Sequence, residues 1–338
     1  MNVIILTEGF NNTGFGHLTR CTAIYQAFEA NGIIPKLIVN GDKNAESILG
    51  NLNFAILNWL HNTSLLFDHL NKQSIVVIDS YLADLKLYNE LTLKVKNCVF
   101  IDDNLRLPYP SGILLNGTVG SESFEYPERD KREYLLGSKY IPLRTDFWHV
   151  PEKTINNNVA QILITAGGQD IRNITPEIQK VVNEKYPNVV KNVVVGTAFS
   201  NKDEIVKSKD ENTSLYFQPD SEQMKSLMLK SDIAISAAGQ TLYELARTGT
   251  PTIAIGVIEN QLNNIKGWEK AGFINYAGWW NSAELSENIL KEMEKLEQHE
   301  VRNSKSQIGI SLVDGKGAFR LVEYLKEKLE HENTISNQ

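Results

Sequence analysis

Residues 232–244, DIAISAAGQTLYE, carry the clearest fold signal in this sequence. An apolar run, Asp232–Ser236, ends in small residues, and a helix-forming segment follows at once. The run lacks the alternation of polar and apolar residues that a half-buried strand shows, so we expect a parallel strand covered on both faces. The stretch therefore predicts the strand–loop–helix unit of an α/β protein.

The same pattern recurs along the whole chain in two series. The predicted strands are Val3–Leu6, Lys36–Asn40, Ile75–Asp79, Cys98–Asp102 and Ile113–Leu115 in the first series, and Gln161–Thr165, Asn192–Gly196, Ser214–Phe217, Asp232–Ser236 and Thr252–Gly256 in the second. Helical segments lie between them. Two such series predict two doubly wound, Rossmann-like α/β domains facing a cleft.

Glycine, proline and helix-capping residues indicate where helices and strands begin and end. A helix over His17–Asn31 should stop at Gly32, and Thr175 with Pro176 should cap and open another. The polar stretch 151–158 looks like a linker. We therefore expect domains at 1–150 and 158–316, the second binding the nucleotide, and a C-terminal helix at 317–330 that can cross back to the first domain. The polar residues 331–338 are expected to fray.

Composition narrows the class of protein. The chain has 338 residues, a net charge of −7 and two cysteines. It shows no basic excess, so nucleic acid is not an expected partner. No apolar run approaches the ~18 residues that span a bilayer, and the N-terminus has no basic stretch typical of a signal peptide. We expect a cytoplasmic protein without stable membrane insertion; its oligomeric state stays open.

The first predicted strand leads into a glycine-containing loop, and His17 follows that loop. Gly14 and Gly16 permit a tight turn, and Arg20 lies one helical turn beyond His17; all three are candidate residues for binding the substrate or UDP. The positive end of a helix disfavours an imidazolium, and a neutral imidazole is what a general base needs. The alternative is a histidine that merely begins a helix. The loop lacks the third glycine of a dinucleotide-binding fingerprint, so neither NAD nor FAD is expected, and no cofactor is predicted.

The stretch quoted above can hold a nucleotide. Small residues there would let a phosphate approach amides at a helix start, and a carboxylate one turn inside could accept hydrogen bonds from ribose hydroxyls. The candidate binding residues are Ser236, Ala237, Ala238, Gly239, Gln240, Thr241 and Glu244. The alternative for Glu244 is an exposed helix face.

Two further loops of the second half fit the same ligand. Gly167 and Gly168 directly follow a strand and could form an anion-binding turn, although an ordinary glycine turn would look the same. Asn260 and Gln261 follow the strand Thr252–Gly256, and their amide groups suit sugar hydroxyls.

Carboxylates end two strands of the first half. Asp79 and Tyr81 are candidates for orienting a water molecule or the histidine, whereas Asp102 and Asp103 could equally serve the loop. There is no Asp-x-Asp motif for a metal–diphosphate clamp, so no metal is expected. The Gly-x-Ser-x-Gly elbow of serine hydrolases is also absent.

These motifs, in this order, resemble one known family over nearly the whole chain. They are GFGHLTRC at 14–21, DSY at 79–81, DD at 102–103, YIPLR at 140–144, GGQD at 167–170, SAAGQTLYE at 236–244, NQ at 260–261 and DGKGAFR at 314–320. The chain resembles the PseG-type UDP-sugar hydrolases of pseudaminic acid biosynthesis, which are related to spore-coat polysaccharide proteins and have the GT-B fold of the peptidoglycan glycosyltransferase MurG.

The resemblance implies a function. The substrate would be UDP-2,4-diacetamido-2,4,6-trideoxy-β-L-altropyranose, and UDP would be released by metal-independent hydrolysis with His17 as the base. Two alternatives stay open. An inverting glycosyltransferase could use the same base on an acceptor hydroxyl, although the polar residues Asn11, Asn12 and Thr13 favour the hydrolase. A non-catalytic subunit that binds nucleotide sugars would need no base.

Overall fold

A computed structural model describes residues 1–10, 16–42, 45–46, 49–127 and 132–336. The chain divides into two compact units. The first unit comprises Met1–Thr145 and Gly315–Gln338, and the second comprises Asp146–Asp314. Each unit is built on its own parallel sheet with helical connections. The prediction of two doubly wound α/β units is therefore confirmed.

The sheet of the first unit has seven strands among the described residues, in the order β3-β2-β1-β4-β5-β6-β7. All neighbouring pairs are parallel. The strands are β1 (Asn2–Gly9), β2 (Lys36–Gly41), β3 (Phe54–Ile56), β4 (Ser74–Asp79), β5 (Asn97–Ile101), β6 (Gly112–Asn116) and β7 (Arg132–Leu136). Chain order runs outward from β1 on one side and from β4 on the other, so the direction of winding changes between these two strands.

The second unit has a six-stranded parallel sheet over the described part of the chain, in the order β10-β9-β8-β11-β12-β13. Its strands are β8 (Gln161–Thr165), β9 (Val190–Val195), β10 (Thr213–Phe217), β11 (Ile233–Ala237), β12 (Thr252–Gly256) and β13 (Ile274–Trp279). Here the change of winding direction falls between β8 and β11.

Helices connect the strands in both units. Those of the first unit are α1 (Gly16–Ala30), α2 (Thr63–Phe67), α3 (Leu85–Lys94) and the C-terminal α11 (Gly317–Ser336). Those of the second unit are α4 (Thr175–Lys185), α5 (Lys202–Lys207), α6 (Ser221–Lys230), α7 (Thr241–Arg247), α8 (Leu262–Ala271), α9 (Leu285–Leu296) and α10 (His299–Leu312).

Each unit has a core formed by its central strands and the helices that cover them. Ile4, Leu6 and Ile78 are buried in the first unit, and Ile164 and Ile235 are buried in the second. All five lie on strands that have neighbours on both sides, and every residue of β4 and of β11 is buried, so both faces of these strands are covered. This double burial explains why the central strands are apolar throughout.

Three strands that the sequence did not reveal, β3, β7 and β13, all lie at sheet edges. β3 has no buried residue, and β7 and β13 mix buried with partly or fully exposed residues. A strand with one neighbour is less covered than a central strand, so it does not need the continuous apolar run on which the prediction depended.

The predicted linker at 151–158 is wrong, because the second unit already begins at Asp146. The Lys153 ammonium group donates hydrogen bonds to the backbone carbonyls of Met228, Leu229 and Ser231 at 2.7–2.9 Å. These bonds satisfy carbonyls at the end of α6, so the stretch is an integral part of the second unit.

Two predicted helix ends are also corrected. Thr175 does not cap α4: the Asp170 carboxylate accepts hydrogen bonds from the Ile174 and Thr175 amides, and Thr175 is itself helical. The C-terminal helix continues to Ser336 instead of fraying after 330. Lys328 pairs with Glu133 at 2.6 Å and Glu332 pairs with Lys96 at 3.2 Å, so the last turns are tied to the first unit.

Candidate functional site

The first candidate site lies where the winding direction of the first sheet changes. His17 stands at the start of α1, which follows β1, and Asp79 is the last residue of β4. The two strands are neighbours, with Thr7 of β1 opposite Asp79. In open α/β sheets the crevice at this point is the usual place for a ligand.

His17 and Asp79 form a buried pair. The His17 Nδ1 lies 2.6 Å from the Asp79 Oδ1, and the Asp79 side chain is 1% exposed. Because the carboxylate can only accept, this contact places the imidazole proton on Nδ1. With the proton on Nδ1, the Arg20 Nη2 atom 3.2 Å away cannot donate to that nitrogen and donates to Asp79 instead. Among the described residues the hydrogen bond of the ring is therefore made by Nδ1, which leaves Nε2 for chemistry.

Arg20 holds the same carboxylate with two parallel hydrogen bonds. Its Nε donates to the Asp79 Oδ2 and its Nη2 donates to the Asp79 Oδ1, both at 2.9 Å. Burial alone would raise the pKa of Asp79, but the charges and hydrogen bonds of Arg20 and His17 outweigh it and lower the pKa to about 2. Asp79 is therefore ionised at neutral pH.

The remaining amino group of Arg20 is directed at a second carboxylate. Its Nη1 donates to the Asp103 Oδ2 at 2.8 Å. Each guanidinium nitrogen of Arg20 thus contacts a carboxylate, although the sequence had suggested that this residue binds substrate. The geometry supports instead a role in holding the base, and the substrate role stays an untested prediction.

Tyr81 completes the surroundings of His17. The tyrosine and imidazole rings meet edge to face, with centroids 4.3 Å apart and an angle of 86°. The Tyr81 hydroxyl donates to the Asp103 carboxylate, at 2.6 Å from Oδ1 and 2.7 Å from Oδ2. Burial and the Asp103 charge raise the pKa of this phenol. Tyr81 is thus a neutral contact of the imidazole and not a proton acceptor.

Glu8, at the end of β1, supports the loop that carries Tyr81 and was missed by the sequence analysis. Its carboxylate accepts hydrogen bonds from the Ser80 hydroxyl at 2.6 Å and from the Tyr81 amide at 2.7 Å. The available signal was an acidic residue at the end of an otherwise apolar strand, which is the same signal that identified Asp79.

Asp102 and Asp103 are adjacent in sequence, but their carboxylates accept hydrogen bonds from different residues. The Asp102 carboxylate accepts from the Leu105 and Arg106 amides at 3.0 and 3.1 Å and from the Tyr109 and Tyr126 hydroxyls at 3.1 and 2.7 Å. It thereby holds the loop after β5, in which Leu105 has a φ of 61°. Asp102 is a loop residue, whereas Asp103 contacts the site.

Part of the predicted first loop lies outside the described residues. This applies to Gly14, to Phe15 and to the polar residues Asn11, Asn12 and Thr13. Gly16 is described and begins α1.

The second candidate site occupies the corresponding point of the second sheet. Gly167 and Gly168 follow β8, and Ser236 and Ala237 end the neighbouring β11, with Thr165 opposite Ser236. Gly167 has a φ of 78°, which favours glycine, and a Cβ atom there would lie 3.9 Å from the Thr241 hydroxyl. The two loops therefore lie side by side.

The amides of Ala238 and Gly239 are used within the loop. The Ala238 amide donates to the Ile255 carbonyl at 3.0 Å, and the Gly239 amide donates to the Ala237 carbonyl at 2.9 Å. The Ala238 carbonyl accepts from the Asn264 side chain at 2.9 Å. The loop is therefore held by its own backbone and by α8.

Glu244, Asn260 and Gln261 belong to the same region. Glu244 is 4% exposed on α7, so the alternative of an exposed helix face does not apply. Gln261 accepts from the Val257 amide at 2.9 Å, and its Nε2 would be 3.7 Å from a Cβ atom at Gly239. Asn260 precedes Gln261 in a single 3₁₀ turn.

The described residues lack two features, a metal-binding cluster and a membrane-spanning helix. No group of three or more His, Cys, Asp or Glu side chains there is arranged to hold a metal ion. No helix in the described part is long and apolar enough to cross a membrane.

Comparison with known proteins supports the resemblance seen in the motifs. Residues 161–314 match the glycosyltransferase family 28 C-terminal domain. A Helicobacter pylori protein named pseudaminic acid cytidylyltransferase and UDP-2,4-diacetamido-2,4,6-trideoxy-beta-L-altropyranose hydrolase is 27% identical over 292 residues. The match covers 86% of this chain but 51% of that protein, so the chain spans about half its length.

Two further similarities extend over the whole chain. The spore coat polysaccharide biosynthesis protein SpsG of Bacillus subtilis is 24% identical over 351 residues, covering 98% of this chain and all of that protein. The crystal structure of MurG from Acinetobacter baumannii superposes with a TM-score of 0.64 at 13% identity, covering 97% of this chain and all of that one. This chain therefore has the GT-B fold, matches the glycosyltransferase family 28 C-terminal domain at residues 161–314, and is similar to a Helicobacter pylori protein named as a UDP-sugar hydrolase and to SpsG.

Proposed function

We propose that this protein hydrolyses a UDP-linked 2,4-diacetamido-2,4,6-trideoxy sugar in the biosynthesis of a pseudaminic-type acid or surface polysaccharide. The observation that carries the proposal is the buried His17–Asp79 contact of 2.6 Å. A carboxylate that fixes one imidazole nitrogen leaves the other to accept a proton, which is the arrangement of a general base. The name of the Helicobacter pylori relative supplies the substrate class.

The proposed hydrolysis follows from the position of the imidazole proton on Nδ1 of His17. His17 Nε2 removes a proton from a water molecule, and the water oxygen attacks the anomeric carbon. The bond between that carbon and the UDP oxygen breaks, and its electron pair leaves with UDP. Attack from the face opposite the diphosphate inverts the configuration of the sugar. Asp79 stays ionised and stabilises the imidazolium that forms, because Arg20 and His17 keep its pKa at about 2.

We assign UDP binding to the second unit. Its family 28 domain includes the loop at Gly167–Gly168 and the loop around Ser236–Gly239, which meet where the winding direction of the sheet changes. Glu244 is the proposed acceptor for the ribose hydroxyls, and Gln261, beside Gly239, is a proposed contact. Small side chains at these loops admit a diphosphate without steric conflict.

The same geometry would serve an inverting glycosyltransferase, in which His17 would take the proton from an acceptor hydroxyl. A subunit that only binds nucleotide sugars is less consistent with the site, because burying an aspartate, an arginine and a histidine together is costly unless the arrangement has a use. The transferase is therefore the alternative that an experiment must separate from the hydrolase.

The test is the reaction in ¹⁸O-labelled water with the UDP-sugar and no acceptor. We expect release of UDP, with the label on the anomeric oxygen of the sugar and none on UDP. Label in the UDP phosphate would show attack at phosphorus and contradict the mechanism. UDP release that requires an added sugar acceptor would identify a transferase, and UDP binding without any turnover would identify a binding subunit.

A further inference from the structure

Five side chains around the candidate base form a closed ring of contacts. Each touches the next, in the order His17, Asp79, Arg20, Asp103, Tyr81 and back to His17. The members come from α1, from the end of β4 and from the loop after β5. Four of these side chains already have a role in the site. His17 is the proposed base, Asp79 and Tyr81 contact it directly, and Arg20 holds Asp79 with two hydrogen bonds. Asp103 touches neither, and the proposed reaction assigns it no role.

Asp103 is the point at which the two supports of His17 meet. On one side its Oδ2 accepts from Arg20 Nη1 at 2.8 Å, and Arg20 in turn holds the Asp79 carboxylate that fixes the imidazole. On the other side both its oxygens accept from the Tyr81 hydroxyl, whose ring packs against the imidazole edge. One carboxylate thus restrains the hydrogen-bonded side and the packed side of the same histidine.

We propose that Asp103 is a positioning residue that fixes the orientation and tautomer of His17 through Arg20 and Tyr81. This inference rests on the proposed function for its catalytic consequence, although its structural consequence can be measured without turnover. An ordinary surface ion pair would not fit the geometry, because the Arg20 side chain is 11% exposed and is held at all three guanidinium nitrogens.

The informative variant is Asp103→Asn, which retains the shape of the side chain but offers one acceptor oxygen to two donors. The charge that anchors Arg20 is lost, and Arg20 and Tyr81 must compete for that oxygen. A base displaced by a fraction of an ångström loses rate without losing substrate affinity. We expect kcat to fall about 10- to 100-fold, with KM and UDP affinity essentially unchanged.

The adjacent residue supplies a matched control. Asp102→Asn makes the same chemical change one residue earlier, in a carboxylate that holds the loop through Leu105, Arg106, Tyr109 and Tyr126. It should lower the melting temperature more than Asp103→Asn does and leave kcat at low temperature near the wild-type value. A second pair of variants removes a hydroxyl donor from each carboxylate: Tyr81→Phe from Asp103 and Tyr109→Phe from Asp102. Tyr81→Phe should lower kcat, as Asp103→Asn does, whereas Tyr109→Phe should lower the melting temperature and leave kcat near the wild-type value.

A readout independent of turnover is the nitrogen spectrum of ¹⁵N-histidine-labelled protein. The chain has six histidines, so the His17 signals are identified as those absent from the His17→Asn variant. In the wild-type protein we expect a single tautomer with the proton on Nδ1. In Asp103→Asn and in Tyr81→Phe we expect a mixture of tautomers or broadened signals, and in the Asp102→Asn and Tyr109→Phe controls the wild-type pattern.

The outcomes separate the two proposals. A changed His17 spectrum in Asp103→Asn, in a protein that hydrolyses no UDP-sugar, would support the positioning role and reject the proposed function. An unchanged spectrum together with unchanged kcat would overturn the positioning role while leaving the function intact. If Asp103→Asn loses only thermal stability, as Asp102→Asn should, Asp103 is a loop residue and the inference is wrong. If Asp103→Asn does not fold, the Tyr81→Phe variant replaces it: a changed His17 spectrum would support the positioning role, and an unchanged spectrum with unchanged kcat would overturn it.

Discussion

The two points at which the sheets change winding direction are equivalent in topology but opposite in composition. In the first unit, between β1 and β4, the site is built from ionisable side chains: His17, Asp79, Arg20 and Asp103, with Glu8 supporting the adjacent loop. In the second unit, between β8 and β11, glycine and alanine predominate in the two loops, at Gly167, Gly168, Ala237, Ala238 and Gly239. The difference indicates a division of labour between the two units.

A charged network and an open loop suit different tasks. Charges buried among one another are fixed in place before a substrate arrives, and such preorganisation favours chemistry. Small side chains leave space for a ligand and supply little that could react. The comparison therefore supports the proposal that the first unit carries the catalytic base and the second binds the nucleotide. Substitutions, acid and a chelator should each affect the two units differently.

The largest effect is expected from His17→Asn. Loss of a general base should lower kcat by about 10²- to 10⁴-fold. Affinity for UDP, measured by calorimetry, should stay near the wild-type value, because the second unit is proposed to hold the nucleotide. Weakened UDP binding with normal turnover would reverse the assignment of the two units.

The counterpart in the second unit is Glu244→Gln. Replacing a charged acceptor of the ribose hydroxyls should weaken UDP binding by about 1.5–3 kcal/mol, which is roughly 10- to 150-fold in Kd. Turnover at saturating substrate should be much less affected. The control is Glu259→Gln, an exposed residue of the same chemistry on the turn that precedes α8. Equal Kd values for the two variants would remove Glu244 from the binding site.

Acid should destabilise the protein through Asp79. Its pKa is lowered from 3.8 to about 2 in the folded protein, so its carboxylate contributes full stability above about pH 4, and this contribution is lost as the pH falls to about 2. The shift corresponds to about 2 kcal/mol. Urea unfolding between pH 5 and pH 2 should show this loss in wild-type protein and in the exposed-site control Asp68→Asn. In Asp79→Asn the corresponding decrease should be absent, and if it persists, the Asp79 pairing does not stabilise the fold.

The smallest expected effect is that of a chelator. If backbone and side-chain donors of the second unit hold the diphosphate, EDTA should leave UDP release unchanged, and added Mg²⁺ should not increase it. A rate that falls on chelation and recovers with Mg²⁺ would show that the small-residue loops do not bind the diphosphate unaided.

The sequence revealed most of the fold because burial on both faces leaves a readable pattern. The central strands β1, β4, β8 and β11 are continuous apolar runs, and each ends in the residues that mark its site. Of the four edge strands among the described residues, β10 was predicted but β3, β7 and β13 were not, since one-sided pairing does not require such runs. The ends of helices were predicted less accurately than the central strands. The N-terminus of α4, for example, is capped by Asp170, five residues before Thr175, and not by Thr175 itself.

The sequence by itself determined which residue types stand at the ends of the strands, and so identified His17, Asp79 and Tyr81 as candidates. It could not determine how those side chains pair. Asp102 and Asp103 are chemically identical neighbours, and only the folded loop after β5 directs the first to Leu105 and Tyr126 and the second to Arg20 and Tyr81. The physical reason is that the positions of strands along the sequence follow from local patterns of burial, whereas hydrogen bonds between residues 59–83 positions apart depend on where three separate segments meet.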